Sequence, residues 1–528
     1  FIDDDLDDAA IDALFRGSDA LVAPSRGEGF GLPLAEAMLR GIPVITTRHG
    51  GALDFCSDDN AWLVDFQYAY ADSHLGLFNS AWAEPDEADL VRALKEVLAS
   101  APADRGARLE RARTLMEGTF TWAKVAARTR TAVEMLDRLP ALSKLPRVVL
   151  VSTWNIRCGI ASYARHQASV FPRGSLQVMA SHTDQPVRPD EPFVQRCWRQ
   201  GWSDDLTELQ DAIRRAQPDL VVVQFNFGFF DIEAFGRLLD RLEADGIPCH
   251  VILHSTMDVA KPERRISLRQ IQPSLARAAR LLVHSVADLN RLKNMQLDSA
   301  AAIIPHGTPR FCIDERTNVQ RSLGITGKRV LACFGYLLPD KGFGVLLDAF
   351  FCLHQRHPDL HLLLITSLYP DPVSEEEADR CRARIAGHPH GASVTMVTSH
   401  LEEVQAHAML QAADLLIFPY QTTQESSSGA VRFGLASLKP VVCTPLPIFD
   451  DVASVVHRLP GTSAADIERG LEALLNDPEC LERHADRQAR WLAEHAWPAA
   501  SRRFWDMLRA PPVHNLIAQD RAPCQRPK

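Results

Sequence analysis

Two short stretches in the last third of the chain carry the residue types that phosphate chemistry asks for. Gly335-Tyr336-Leu337-Leu338-Pro339-Asp340-Lys341-Gly342 follows an apolar run, and Gln424-Glu425-Ser426-Ser427-Ser428-Gly429 precedes a helical pattern. A lysine at the carboxyl end of a strand can reach a diphosphate, although Pro-Asp-Lys-Gly is also an ordinary surface turn. In the second stretch hydroxyls and free amides converge at a helix start, with the helix dipole behind them. Serine N-capping is the plainer account of that pattern. Lys341 and the Glu425 loop occur in order within one domain, and that conjunction favours a site for an anionic ligand.

Such loops need strands and helices to hold them. Asp414 to Pro419 reads as the strand before the Glu425 loop, Ala430 to Leu438 as the helix after it, and Pro440-Val441-Val442 as the next strand. The same scheme occurs near the start of the chain. There Asp19 to Pro24 is the strand, and Ser25-Arg26-Gly27-Glu28-Gly29-Phe30-Gly31-Leu32-Pro33 the glycine-rich loop. A helix follows, and Gly41-Ile42-Pro43-Val44-Ile45 leads into another strand. Pro33 suits a helix start. A self-match at so long a period means tandem copies of a large unit, not a solenoid.

Only one whole unit fits. Apolar runs at 148–151, 220–223, 250–253 and 281–283 alternate with helical stretches, and a second series begins at 329–334 and continues at 362–365 and 394–397. This alternation predicts doubly wound parallel sheets. The chain therefore divides into the later part of a first unit at 1–138, a linker at 139–146, Rossmann-like domains at 147–312 and 313–510, and a disordered tail at 511–528. It opens on Phe1 rather than Met and reads as a piece of a longer protein.

Composition narrows the function. The 528 residues are 46% apolar and 23% charged, as in soluble multi-domain proteins. A net charge of -10 argues against a nucleic-acid partner. Eleven scattered cysteines without a CxxC pair argue against a zinc site or disulfide framework and fit a reducing cytosol. No run of about 18 apolar residues predicts a membrane-spanning helix. Arg264, Arg265, Arg269, Arg277 and Arg280 form a basic region, read as a solvated helix face or, alternatively, as a peripheral contact with anionic lipid.

Glu28 to Glu36 resembles the E-x7-E motif of family 4 retaining glycosyltransferases, as do its flanks from Ala13 to Asp19 and from Gly41 to Ile45. Phe120-Thr121-Trp122 is similar to an aromatic element late in that family's second domain. Gly335 to Gly342 resembles its donor-phosphate segment, Ile304-Pro305-His306-Gly307 its interdomain segment, and Cys158 to Tyr163 its first strand-to-helix loop. The resemblance implies an α/β fold of the GT-B kind, with paired Rossmann-like domains. It also implies a nucleoside-diphosphate sugar donor, retention of anomeric configuration, and no cofactor or metal. Within the motif Glu28-Gly29-Phe30-Gly31, Glu28 would face the donor sugar, and Glu36 the ribose. In the later unit Glu425 matches Glu28, and Lys341 the phosphate-binding lysine. Gly335, Gly342, Ser426, Ser427, Ser428 and Gly429 would line the donor site. His254 matches a position beside the reacting sugar; a strand-end histidine bonded to backbone is the alternative. Gly159 would let a ligand approach the backbone or simply make a tight turn.

Two positions depart from the family pattern. Counting back from Pro440 puts Phe433 where Glu36 stands, and Tyr336 replaces a phosphate-binding arginine, which it cannot match as a charged fork. Trp154, Trp198 and Trp202 are read as core residues before sugar-stacking ones. The expected protein is a glycosyltransferase, either free in the cytoplasm or peripheral at the inner membrane face. It would act on a glycan or lipid-linked acceptor in bacterial surface polysaccharide synthesis. The alternative is a later unit that serves as a non-catalytic glycan-binding or scaffolding module.

Overall fold

The Val-, Ile- and Leu-rich runs form strands covered on both faces, the condition under which parallel sheets are stable. A computed structural model describes residues 5–72, 78, 80–138, 145–261, 264–311, 316–369, 371–399, 401–423 and 425–509. Most of the expected linker at 139–146, the boundary at 312/313 and the tail at 511–528 fall outside these residues. The chain divides into two compact units at Lys144.

In the first unit Leu21–Ala23, Val44–Thr47 and Trp62–Val64 form a parallel three-stranded sheet in sequence order. An antiparallel pair, Phe66–Tyr70 with Ala81–Pro85, stands apart from it. The helix Leu32–Leu39 buries Leu34, Ala35, Ala37 and Met38 against Ala112 and Met116 of the helix Pro102–Thr119. The last helix, Trp122–Arg138, leaves Trp122 83% exposed.

The second unit holds two parallel sheets. The seven-stranded one runs in spatial order Ala301–Ile303, Arg280–Val283, Cys249–Leu253, Leu220–Phe225, Val148–Ser152, Leu176–Ser181 and Val194–Trp198. The six-stranded one runs Val394–Val397, Leu360–Ser367, Arg329–Tyr336, Leu415–Phe418, Val441–Cys443 and His457–Arg458. In both, the chain starts in the middle, winds to one edge, then returns and winds to the other. The order reverses between the first and fourth strands, where such sheets bind ligands at the strands' carboxyl ends. Those strands are Val148–Ser152 and Leu220–Phe225 in one sheet, Arg329–Tyr336 and Leu415–Phe418 in the other.

The final helix, Trp497–Arg509, does not stay with the domain that precedes it. Trp497, Phe504, Trp505 and Leu508 pack into the core of the first Rossmann-like domain with Leu150, Trp154, Tyr163 and Val222. Thr308 fixes the crossing: its N–H donates to the His495 carbonyl at 2.7 Å, and its carbonyl accepts from Trp497 N at 2.9 Å. Burying each large apolar side chain is worth roughly 1.5–3 kcal/mol, so this helix is a structural part of the domain it crosses to.

Candidate active site

Local chemistry places the glutamates in matching positions. In the first unit Gly31, with φ of 88°, caps the helix Leu32–Leu39, so Glu28 lies in the loop before it and Glu36 on its second turn. In the second unit Ser428 caps the helix Gly429–Leu435 by accepting from Val431 N at 3.2 Å. Counted from the two caps, Glu425 falls where Glu28 falls, and Phe433 where Glu36 falls.

The Glu28 loop is packed tightly against the segment after Val44–Thr47. Gly51 N donates to the Glu28 carbonyl at 3.1 Å, and a Cβ on Gly51 would lie 1.6 Å from the Gly29 oxygen. The Glu28 carboxylate accepts from Gly29 N, while Glu36 lies 3.7 Å from Arg40. Phe30 turns inward, with its ring centroid 4.9 Å from Phe55 and 5.9 Å from Phe120, so its contacts are those of a core residue.

In the second unit Lys341 and Glu425 meet. Lys341 follows the central strand Arg329–Tyr336, and Glu425 follows its neighbour Leu415–Phe418, so both lie at the switch point. Lys341 Nζ donates to Glu425 Oε2 at 3.1 Å and sits 4.2 Å from the centroid of Tyr420. Only 8% of Lys341 is exposed, so the surface-turn alternative does not hold. Burial, the largest single influence, pulls its ammonium down. Tyr420, Glu425 and Asp340 together outweigh burial and hold it above the usual lysine range. Gly342, with φ of 77°, is demanded by backbone crowding, since a Cβ there would meet the Pro419 oxygen at 2.0 Å. A Cβ on Gly335, whose φ is 144°, would meet the Ala430 Cβ at 3.8 Å, an ordinary contact.

The three serines divide between roles. Ser428 is the cap and also hydrogen-bonds the Tyr420 hydroxyl at 3.1 Å. The hydroxyls of Ser426 and Ser427 are buried with no partner. Unsatisfied buried hydroxyls beside a lysine and a glutamate are what a site awaiting a polar ligand presents.

The first Rossmann-like domain forms the facing wall. The His254 carbonyl, at the end of Cys249–Leu253, accepts from Ser426 N at 3.3 Å. Its ring donates from Nε2 to Gln224 Oε1 at 2.5 Å, and Gln224 Nε2 donates to Gln167 Oε1 at 2.8 Å. The partner is thus a side chain, not the backbone expected on the alternative reading. Burial, reinforced by His284, drives the His254 pKa well below the usual histidine range. A neutral ring can accept or donate a hydrogen bond there without adding charge. Gly159 opens the helix Gly159–Ala168 and has nothing within 4 Å of an added Cβ.

Arg432, also at the cleft, lies outside the sequence motifs. Arg432, 1% exposed, pairs with the buried Asp451 and donates to the carbonyls of Ser428 (2.9 Å) and His306 (3.3 Å), tying the serine loop to the other domain. Burial raises the Asp451 pKa. An arginine on the buried face of an otherwise apolar helix is the one sign the sequence offers. Tyr163 is packed among His254, His284, His306 and Trp497, with centroids 5.0 to 5.4 Å away. Phe433 lies in an aromatic stack, its ring 4.9 Å from both Phe311 and Phe334.

Other expectations sort themselves by position. Trp154 and Trp198 are core residues; Trp154 donates to Glu191 and Trp198 to the Met179 carbonyl. Trp202 is partly exposed and donates to the Phe227 carbonyl. The five arginines do not share a helix face. Arg264 and Arg265 lie on a hairpin beyond the carboxyl end of Cys249–Leu253, Arg277 pairs with Asp240 and Glu243, and Arg280 begins a strand. Among the described residues no group of His, Cys, Asp or Glu is arranged to hold a metal ion, and no helix is long and apolar enough to cross a membrane.

Residues 5–76 and 328–477 each match a family model described as glycosyl transferases group 1. Each unit thus contains one segment similar to that family. The uncharacterized glycosyltransferase YqgM of Bacillus subtilis is 26% identical over 200 residues, which is 36% of this chain and 49% of that protein. The phosphatidyl-myo-inositol mannosyltransferase of Mycobacterium tuberculosis is 30% identical over 213 residues, 38% of this chain and 52% of the relative. The chain thus spans about half the length of these glycosyltransferases. In fold it is similar to Anabaena HepE in complex with UDP and glucose, with a TM-score of 0.56 at 14% identity over 69% of this chain and 100% of that one. The architecture is GT-B, preceded by part of another such domain.

Proposed function

We propose that the chain is a retaining glycosyltransferase. It would move a sugar from a nucleoside-diphosphate donor to a glycan or lipid-linked acceptor in bacterial surface polysaccharide synthesis, in the cytoplasm and in peripheral contact with the membrane. The observation that carries this reading is the Lys341–Glu425 pair at the switch point, beside two unpartnered serine hydroxyls and opposite His254. In this scheme Lys341 and the serine-loop amides hold the diphosphate, and the lysine stabilises charge as the leaving group departs. Glu425 positions the donor sugar, and the neutral His254 bonds to it from the facing domain. No metal is invoked. The matches of both units to glycosyl transferase models, and the intact lysine–glutamate pair, support an enzyme over a non-catalytic module.

A thermal-shift screen with UDP and GDP, followed by donor hydrolysis across UDP- and GDP-sugars, tests the proposal. Saturating ligand at about 100 times its Kd should stabilise the fold by about 2.7 kcal/mol. The absence of both protection and hydrolysis with every nucleotide would overturn it.

A further inference from the structure

A nucleoside diphosphate brings more than one negative charge into the cleft proposed above, and this inference rests on that proposal. Lys341 offers one positive charge, already met by Glu425 at 3.1 Å and by Asp340 at 3.8 Å. Tyr336, at the end of the central strand, offers none. Arg432 is engaged by Asp451. The balancing cation therefore has to come from the second wall.

Arg157 lies there. It follows Val148–Ser152, the switch-point strand of the first Rossmann-like domain, and stands two residues before Gly159, the start of a ten-residue helix with no side-chain cap. It is exposed, and no ion pair or hydrogen bond engages it among the described residues. Tyr336, on the other wall, lies within range of its charge: burial pushes that phenol up to about 12, and the Arg157 charge acts in the opposite sense. The loop that carries Arg157 is braced. Trp154 Nε1 donates to Glu191 at 2.8 Å. Asn155 holds a left-handed φ of 49° and donates to Asp190 and Glu191, both at 3.1 Å. Its carbonyl accepts from Val187 N at 2.8 Å. An asparagine held at positive φ by three acidic and backbone partners fixes the direction in which the next residues leave. On the opposite wall the Ser426 hydroxyl, 6% exposed, has no partner.

We propose that Arg157 is the second cation on the donor diphosphate, supplied by the first domain in place of a cation at position 336. A planar guanidinium suits two phosphate oxygens at once. The donor would then bridge both domains through its phosphates, and each domain would bring one charge.

Calorimetry with UDP, GDP and UMP on the full chain tests this. Arg157→Ala should weaken binding of the preferred diphosphate by roughly 10- to 100-fold and narrow its advantage over UMP, as loss of a charged hydrogen bond does. Arg157→Lys should recover part of the loss. Tyr336→Arg in the Arg157→Ala background should restore affinity, an outcome that a merely structural role for Arg157 would not produce. Lys341→Ala assigns the binding to this cleft. If Lys341→Ala weakens binding and Arg157→Ala leaves it within twofold of the parent, Arg157 is not the second cation, while the donor proposal stands. If the parent binds no diphosphate, or Lys341→Ala has no effect, both fall.

Discussion

Replacing Lys341 by methionine separates its charge from its packing. The side chain is nearly enclosed, its ammonium 4.2 Å from the Tyr420 ring centroid and 3.1 Å from Glu425. Methionine keeps most of the apolar stem, so little cavity opens. The lost cation–π contact is worth about 0.5–2 kcal/mol. The ion pair adds less, because the Glu425 side chain is 59% exposed and water takes over its solvation. Release of a buried ammonium offsets part of both, leaving a net loss of about 1 kcal/mol in unfolding free energy. Catalysis should suffer more. A charge aimed at a departing diphosphate contributes on the order of 2–4 kcal/mol to the transition state, about 30- to 900-fold in kcat/KM. Lys341→Ala and Glu425→Ala should fall in the same range for donor use. The assay pairs urea unfolding with donor turnover on the nucleotide sugar that the screen identifies. Variants that fold as the parent does and turn over donor at its rate would show that the catalytic site lies elsewhere.

Phe433→Ala should destabilise the second unit by about 3 kcal/mol, because it empties the stack with Phe311 and Phe334, yet weaken UDP or GDP binding less than Lys341→Ala does; denaturation and calorimetry read the two orders separately. Acid should destabilise the fold early. The pKa values of His250, His284 and His495 are lowered by burial to about 4, and those of His254 and His306 well below their usual value, so the unfolded chain binds more protons as pH falls through 6.5. Stability is then complete above the unfolded value and is lost towards pH 4, by up to about 1.4 kcal/mol per pH unit for each histidine; urea midpoints at pH 7.5, 6 and 5 that do not fall would refute this. Gly342→Ala should unfold the loop at Pro419, whereas Gly159→Ala should leave the melting temperature unchanged and lower donor turnover. Equal melting losses in the two variants would contradict the difference in crowding between the two sites.

The parts of this site that were legible in the sequence are those fixed by short-range rules. A helix cap sets the register of Glu28 against Glu36 and of Glu425 against Phe433, because both members lie on one loop-helix segment. Lys341 and Glu425 were placed together because adjacent parallel strands bring their carboxyl ends to one edge. What escaped depends on contacts between distant segments. Nothing local tells Phe30 to join Phe55 and Phe120, or Ser428 to act as a cap while Ser426 remains unpartnered. Arg432 owes its position to Asp451 on another loop, and Arg157 stands just before the Cys158 to Tyr163 loop without any periodic pattern to single it out. The fold class was readable for the opposite reason: strand burial and alternation repeat many times over, so single ambiguities do not matter.

The crossing of Trp497–Arg509 sets a schedule for synthesis. The strands of the first Rossmann-like domain end at Ile303, but its core lacks Trp497, Phe504, Trp505 and Leu508 until the last helix has left the ribosome. At roughly 5–20 residues per second, the nearly two hundred intervening residues delay that event by about ten to forty seconds. During this interval the nascent domain exposes an apolar groove that the chain itself will fill. A premature stop before Trp497 would therefore damage a domain whose strands were translated long before.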